Sequence, residues 1–363
     1  MTMPRAIGLD DVVAAETSLS DVDGEAGRLI LRGHDVEELA GRVPYEAAVA
    51  LFWDGFVPVG GGVAALRRDM GAGRVAAFGR FAPLERAAAG LSPVEGLRLF
   101  LSAIADEDAL AVPAALVGAV GVAAAMAVRL SEGRAPLAPD PALSHAADVL
   151  RMLSGRTPAP AHVAALDTYL VTILDHGLNA STFTARVVAS TAAGLPSAVV
   201  AALMALKGPL HGGAPGPVLD MLDAIATAER ADAWLAAALA RGDRLMGFGH
   251  RVYRVRDPRA DVLKAAIGRL TDRPGRIAFA EAVEEAALRQ LAAHRSGRPL
   301  DINVEFYTAL LLEALGVPRA GFTPLFAIGR VAGWVAHVRE QEAAGRIIRP
   351  QSRYVGPMPA RAA

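Results

Sequence analysis

The chain has 363 residues, of which 53% are hydrophobic, and its formal net charge at pH 7 is −1. This length and composition predict a soluble globular protein with a large core, and length alone favours two domains. The near-neutral charge argues against nucleic acid or an anionic membrane as the main partner. Because the sequence contains no cysteine, disulfides, thiolate metal sites and cysteine nucleophiles are excluded.

The N-terminal region carries the clearest strand pattern of the chain. Residues Arg28–Arg32 form a short apolar run between two arginines and are followed by Gly33 as a turn, which predicts a small β-hairpin. The preceding segment, Met1–Asp11, has no basic stretch followed by an apolar run and is not typical of a signal peptide. We therefore expect a cytoplasmic protein.

Helical patterns dominate the rest of the sequence. Ala109–Val128 is uncharged for twenty residues, the length of a membrane span, but its alanine, glycine and valine content and its Pro113 favour a buried helix. Apolar residues recur at three- and four-residue spacing in Val199–Leu206, Ala231–Ala240 and Phe279–Ala293. The sequence predicts an all-α fold with at most a small N-terminal β-hairpin.

Two glycine-flanked histidines and one carboxylate indicate an active site. His211 lies in GPLHGGA, His250 in GFGHRVY, and Glu305 in the strand-like sequence NVEFY. Glycine adopts positive φ at little cost, so the backbone beside each histidine can turn tightly and approach a ligand closely. One such histidine could equally cap a helix, but two in one chain favour a shared site.

Several short motifs follow one another along the chain: VVAAET (12–17), DGE (23–25), DHGLNASTF (175–183), GFGHRVY (247–253), DPR (257–259), FTPLFAIGR (322–330) and IRP (348–350). In these motifs and in their order the sequence resembles the citrate synthase family, from Gly8 to about Gly356. The resemblance implies an all-helical homodimer with a large domain, residues 1–211 and 311–363, and a small domain, residues 212–310, with the substrates in the cleft between them.

The resemblance implies condensation of acetyl-CoA with oxaloacetate and water to give citrate and CoA, through enolisation and hydrolysis of citryl-CoA. It implies no metal and no organic cofactor, because the CoA thioester is a substrate. By motif, Glu305 is the base, His211 donates to the thioester carbonyl, and His250 polarises the oxaloacetate carbonyl. A carboxylate is a weak base near pH 7, so the enol must be stabilised as it forms.

Arginine is the side chain best suited to the two carboxylates of oxaloacetate, because its guanidinium binds a carboxylate in a bidentate manner. The resemblance assigns this role to Arg259, Arg330 and Arg349, the last completing the site of the partner subunit. It also places His176 at oxaloacetate. Taken alone, any one of these arginines is better interpreted as part of a surface ion pair.

The resemblance places CoA, a polyanion, near Arg254 and Arg298, with the backbone of Gly247 and Gly249 close to the adenine. A solvated surface position is nearly as good an interpretation of Arg298. The remaining histidines match no catalytic position and are predicted to be surface or packing residues: His34, His145, His162, His294 and His337.

One position departs from the family pattern, since most members have aspartate where this sequence has Glu305. The added methylene moves the carboxylate by about 1.5 Å, and a misplacement of roughly 1 Å can reduce a rate about 100-fold. Three interpretations follow. The segment is adjusted so that glutamate serves as the base, which we favour; the enzyme is a 2-methylcitrate synthase that uses propionyl-CoA; or the protein is a catalytically weak homologue that binds CoA or a dicarboxylate.

Overall fold

The N-terminal β-structure is a three-stranded antiparallel sheet with the order β1-β2-β3. Its strands are β1 (Ser20–Asp23), β2 (Arg28–Leu31) and β3 (His34–Asp35). Ser20 pairs with Leu31 in the first hairpin, and a second tight turn through Gly33, with a φ of 85°, adds the short third strand. The predicted hairpin is confirmed and gains one strand.

Helices form most of the remaining structure, which confirms the predicted fold class. The computed structural model describes residues 9, 12–212, 215–250, 252–270, 274–294 and 300–359. The helices of these residues are α1 (Val36–Leu39), α2 (Tyr45–Trp53), α3 (Gly62–Phe81), α4 (Glu85–Ala88), α5 (Pro93–Leu101), α6 (Pro113–Ser131), α7 (His145–Ser154), α8 (Pro160–Thr172), α9 (Ala180–Ala189), α10 (Leu195–Leu206), α11 (Pro215–Ile225), α12 (Ala228–Ala240), α13 (Pro258–Ile267), α14 (Pro274–His294), α15 (Val304–Ala314) and α16 (Phe322–Ala344).

The long apolar helix is buried as predicted, but it begins later than the apolar stretch. Pro113 occupies the first position of α6, and the preceding Val112 is extended, because a residue before proline disfavours the helical region. By length and composition α6 could cross a membrane, yet 83% of its most apolar window is buried inside the protein. It packs against α3, α5, α7 and α16.

Helix α16 is the second central helix and brings polar side chains into the interior. It is buried at almost every position from Phe322 to Val338 and packs against α6, α8, α9 and α10. It ends at Gly345, whose φ of 63° is left-handed. Arg330 lies on the buried part of this helix, so it is held inside the protein by the packing of four neighbouring helices.

A buried polar cluster lies between α3, α6 and α7. The Arg74 guanidinium donates to the Asp148 carboxylate at 2.7 Å, and its Nη1 lies 3.4 Å from His145 Nδ1. Burial, together with the charge of Arg74, lowers the pKa of His145 to about 3. A Cβ atom at Gly121 would lie 2.6 Å from the His145 ring. His145 is therefore a packing residue, as predicted.

The predicted domain boundaries fall in different settings. Residue 211 lies in the connection between α10 and α11, whereas residue 311 lies inside α15. The division into a large and a small domain stays a prediction.

Candidate active site

Two short segments pair side by side immediately before His250 and Glu305. Gly249 N donates to Asp301 O at 2.7 Å, and Asn303 N donates to Gly247 O at 2.9 Å. The Asn303 side chain adds a third bond, from Nδ2 to Gly249 O at 2.8 Å. Residues far apart in the sequence are thus held at a fixed separation.

The glycines of this segment are required by backbone conformation and by packing. Gly247 and Gly249 have φ values of 84° and 82°, which strain residues that carry a Cβ atom. A Cβ atom at Gly247 would also lie 2.8 Å from Phe306 Cβ, and one at Gly249 would lie 3.1 Å from Leu300. The tight backbone turn predicted from the glycines beside His250 is therefore present.

Glu305 lies in the first turn of α15, so the strand-like interpretation of its segment is wrong. The strand pairing ends at Asn303, whose side-chain oxygen instead accepts from Glu305 N at 3.0 Å and starts the helix. Glu305 Oε2 is inaccessible to solvent and has no hydrogen-bond partner in the described part of the chain. Burial raises the pKa of Glu305 to about 7, with Arg259 and Arg330 lowering it and Asp257 raising it.

His250 is a neutral donor at Nε2. Its Nδ1 accepts from the backbone N–H groups of Val252 and Tyr253 at 3.0 and 3.1 Å, so this hydrogen-bonding pattern assigns the ring proton to Nε2. Burial and the nearby charge of Arg259 lower the pKa of His250 to about 4. At pH 7 the ring is uncharged, and its Nε2–H can polarise a carbonyl group.

His211 follows α10 in a tight turn and contacts the start of α9. Its Nε2 lies 2.9 Å from Ser181 Oγ, which also accepts from Trp334 Nε1 at 3.2 Å and donates to Asn179 Oδ1 at 2.8 Å. Burial, with the charge of Arg330, lowers the pKa of His211 to about 4. Because the Asn179 oxygen can only accept, Ser181 gives it its single proton, and the neutral His211 ring donates from Nε2 to Ser181 Oγ.

Two of the predicted arginines are buried at the same site. Arg259 is bidentate on Asp257, with Nε 3.0 Å from Oδ1 and Nη2 2.8 Å from Oδ2. Arg330 donates from Nε to Ile173 O at 2.7 Å and lies over the Phe326 ring, but its buried Nη1 has no partner among the described residues. Burial lowers the pKa of Arg330 to about 10, so it remains charged at pH 7.

His176 lies beside His250, with their ring centroids 5.4 Å apart in an edge-to-face arrangement. Its Nε2 is 3.3 Å from Tyr253 Oη. Burial lowers the pKa of His176 well below its ordinary value, and the charge of Arg259 adds to this. A third neutral histidine therefore joins the cluster.

The residue before His176 is part of a buried network that sequence reasoning missed. The Asp175 carboxylate contacts Ser20 Oγ and lies 3.2 Å from His337 Nε2, while His337 Nδ1 lies 3.0 Å from Arg186 Nη1. Burial would raise the pKa of Asp175, but His337 and its other partners hold it below its ordinary value. His337 is buried, in agreement with a packing role. The only sequence signal was the place of Asp175 in the motif.

Three buried polar atoms converge on this cluster and have no hydrogen-bond partner among the residues that the structure describes: Tyr169 Oη, Glu305 Oε2 and Arg330 Nη1. Burial raises the pKa of Tyr169 well above its ordinary value, and the charges of Glu305 and Arg330 both act on it. An unpaired buried polar group is destabilising by about 1–3 kcal/mol. Their convergence suits a ligand that offers both donors and acceptors. Tyr169 carried no sequence signal.

The remaining predicted residues are not joined to this cluster. Arg254 is 46% exposed, with its Nε 3.4 Å from Glu25 Oε1 and its backbone N–H bonded to Gly24 O at 2.8 Å. Arg349 is exposed on the segment that follows α16. Arg298 lies outside the described residues.

Comparison with known proteins identifies the family of this chain. Residues 8–351 match the model of the citrate synthase C-terminal domain family. A citrate synthase of Haloferax volcanii is 38% identical, over 96% of this chain and 95% of that protein. A 2-methylcitrate synthase of Mycobacterium tuberculosis is 34% identical, over 96% of this chain and 90% of that protein.

The structural comparison agrees with the sequence comparison. The citrate synthase of Thermoplasma acidophilum, solved as a ternary complex with carboxymethyl coenzyme A and oxaloacetate, superposes with a TM-score of 0.86 at 28% identity. The match covers 98% of this chain and 97% of that one. The chain therefore belongs to the citrate synthase family and is an enzyme of the citrate synthase type.

Proposed function

We propose that the protein condenses acetyl-CoA with oxaloacetate and water to give citrate and CoA. The observation that carries this proposal is the environment of Glu305, whose pKa is about 7 and whose Oε2 has no hydrogen-bond partner in the part of the chain that the structure describes. Two buried arginines, Arg259 and Arg330, act on its charge, and two neutral histidines, His211 and His250, belong to the same cluster. A base, two uncharged hydrogen-bond donors and two cations are the groups that this condensation requires.

The first step is enolisation of the acetyl group. Glu305 removes a proton from the methyl carbon, while His211 donates to the thioester oxygen as negative charge develops there. The donor is Nδ1–H once Ser181 gives its proton to Nε2 in place of Asn179. The low pKa of His211 keeps the ring neutral at pH 7. Ser181 holds the opposite ring nitrogen and fixes its direction.

The second step forms the carbon–carbon bond. The enol carbon attacks the carbonyl carbon of oxaloacetate, while His250 Nε2–H donates a hydrogen bond to the carbonyl oxygen. That oxygen becomes a hydroxyl group, and the proton that Glu305 removed from the methyl carbon balances the one it gains. Arg259 and Arg330 neutralise the two carboxylates, with Arg349 of the second subunit as the third arginine and His176 as a further donor. Water then attacks the thioester of citryl-CoA, and the CoA thiol leaves. This sequence needs no metal and no organic cofactor beyond the CoA thioester.

The proposal places the CoA phosphates near Arg254 and Arg298 and the adenine beside the Gly247 and Gly249 backbone. The ion pair of Arg254 with Glu25 is exposed, and such pairs contribute about 0–1 kcal/mol. A phosphate group can therefore replace Glu25 with little loss. A cytoplasmic homodimer, with the substrates between a large and a small domain, completes the proposal.

A second candidate substrate is propionyl-CoA, which would give 2-methylcitrate. The 34% identical relative from Mycobacterium tuberculosis favours this alternative. The same base and donors serve both reactions, because propionyl-CoA differs by one methylene at the reacting carbon. One methylene in an apolar pocket changes specificity by about 1–3 kcal/mol, so measurable activity with both thioesters is expected.

The test is the release of free thiol from acetyl-CoA and, in parallel, from propionyl-CoA, each with oxaloacetate and purified protein. The ratio of the two kcat/KM values ranks the substrates. If neither thioester releases thiol and oxaloacetate still binds, the proposed function is contradicted. That result would leave the catalytically weak binding homologue as the better description.

A further inference from the structure

The Asp257 carboxylate joins two elements of the candidate site. It is fully buried at the start of α13. Oδ1 accepts from the backbone N and the Nε of Arg259 at 3.1 and 3.0 Å. Oδ2 accepts from Arg259 Nη2 at 2.8 Å and from Val304 N at 3.1 Å. Val304 is 47 residues away in the sequence, opens α15, and directly precedes Glu305.

We propose that Asp257 is a positioning residue that sets the direction of the Arg259 guanidinium and, through the same carboxylate, the position of the helix turn that carries Glu305. The roles of Arg259 and Glu305 in this inference rest on the proposed function. Asp257 itself touches neither substrate. It holds Arg259, the proposed oxaloacetate ligand, in a fixed position relative to Glu305, the proposed base for the acyl-CoA.

At the arginine end, both contacts lie on one edge of the guanidinium. They use Nε and Nη2 and leave Nη1 of Arg259 without a hydrogen bond to the described residues. A guanidinium already held in a bidentate pair loses little freedom when its other edge binds a carboxylate. Nη2 also lies 3.4 Å from His250 Nε2, so the carboxylate and carbonyl groups of oxaloacetate would meet donors in a fixed arrangement.

At the helix end, Asp257 holds the first N–H group of α15. Such groups have no partner within their own helix and need one from elsewhere. Val304 N bonds to Asp257, and Glu305 N bonds to the Asn303 side chain. The position of the Glu305 backbone therefore depends on two side chains. A shift of roughly 1 Å in a reacting group can lower a rate about 100-fold.

Charge connects the same residues. Four charged or titratable groups act on Glu305. Asp257 directly precedes α13 and Arg259 lies in that helix, while Arg330 comes from α16 and Tyr169 from α8. The negative charge of Asp257 raises the pKa of Glu305, whereas both arginines lower it. Removing the charge of Asp257 therefore lowers the pKa of the proposed base.

The decisive variant is Asp257→Asn. Asparagine keeps one oxygen for Arg259 N, but its amide nitrogen then faces Arg259 Nη2 and Val304 N, which are both donors. We expect the oxaloacetate Kd, measured by calorimetry, to rise about tenfold or more, since hydrogen bonds to charged groups are lost. We also expect a lower kcat. The fall of kcat/KM on the acid side of its pH profile (the acid limb) should begin at a lower pH than in the wild type.

Asp261→Asn is the matched control. Asp261 lies on the same helix, is exposed and pairs with Arg256. The same change of carboxylate to amide there should leave the oxaloacetate Kd within about twofold of the wild-type value, as is usual for exposed ion pairs. The acid limb of kcat/KM should stay at the wild-type pH.

Val304→Pro tests the helix end by itself. Proline suits the first position of a helix, and the preceding Asn303 is extended, with φ −118° and ψ 172°. The substitution removes the N–H that Asp257 accepts and leaves both Arg259 contacts in place. We expect a lower kcat with an unchanged oxaloacetate Kd. If Asp257→Asn does not fold, this variant decides the proposal.

Opposite results would overturn the inference. The Asp257→Asn protein could be less stable to heat and still keep the wild-type oxaloacetate Kd and acid limb. That result would show that Asp257 supports only the structure. An unchanged kcat in Val304→Pro would remove the link to the base. A wild-type protein that binds oxaloacetate without releasing CoA would contradict the proposed function, whereas the Kd comparison would still decide the positioning of Arg259.

Discussion

Replacing Glu305 with glutamine removes the proposed base and, at the same time, a carboxylate whose ionisation is opposed by burial. We expect no turnover above background, because the amide cannot accept the methyl proton. Oxaloacetate affinity should stay near the wild-type value, since Glu305 acts on the acyl-CoA. We also expect the Glu305→Gln protein to be more stable than the wild type at alkaline pH.

The size of that stability change follows from the pKa of Glu305. The value is about 7 in the folded protein, against an ordinary value of 4.5. The folded state therefore binds this proton more tightly than the unfolded state does. The stability that results is fully present below pH 4.5, falls as the pH rises from 4.5 to 7, and is lost above that range.

A pKa difference of about 2.5, at about 1.4 kcal/mol per pKa unit, amounts to about 3 kcal/mol of lost stability. Glutamine does not ionise and avoids this loss. The variant should gain up to about 3 kcal/mol in its free energy of unfolding at pH 8, and about 1.4 kcal/mol at pH 5.5. Partial exposure of Glu305 to solvent makes these values upper bounds.

The assay is urea unfolding of both proteins at pH 5.5 and pH 8, at equal protein concentration because association also affects apparent stability. Turnover is followed by thiol release and oxaloacetate binding by calorimetry. A near-normal kcat would show that the base lies elsewhere. The same stability difference at both pH values would refute the raised pKa.

Four further predictions concern the same site. Below pH 7, kcat/KM should fall about tenfold per pH unit as Glu305 is protonated; an acid limb near pH 4.5 would show an ordinary carboxylate. Glu305→Asp should lower kcat, and a faster enzyme would show that the site is not adapted to glutamate. Ser181→Ala should lower kcat about 10- to 100-fold, with little change in the oxaloacetate Kd, because His211 loses its fixed direction; unchanged kcat would remove that role. Gly247→Ala should destabilise the protein by about 1–3 kcal/mol in urea unfolding, since a Cβ atom there meets Phe306 at a φ of 84°; wild-type stability would contradict this.

Local sequence patterns predicted the helices of this fold, and the resemblance to the family predicted the chemistry of its candidate site. Alanine-rich windows with helical spacing, such as Val199–Leu206 and Phe279–Ala293, lie inside α10 and α14. The predicted buried helix is confirmed, although it begins at Pro113 and not at the start of the apolar stretch. Such features depend on neighbouring residues, and a linear pattern records them.

The segment around Glu305 shows where local patterns fail. Its valine, phenylalanine and tyrosine are strand-like, yet Asn303 and Asp257 cap its first N–H groups and make it a helix. One of those caps comes from 47 residues away. A contact of that kind depends on how the chain folds back on itself, so no short window of sequence contains it.

The sequence by itself determined the helical class and the tight glycine turn beside His250, because these follow from residue type and close neighbours. The predicted roles of the histidines, arginines and carboxylate came from their places in the family's motifs. Only the tertiary structure decided how those residues are protonated and hydrogen-bonded. The proton on His250 Nε2, the role of Ser181 at His211 and the pKa of Glu305 all depend on burial and on hydrogen bonds between distant parts of the chain. Burial and these long-range hydrogen bonds exist only after the chain has folded.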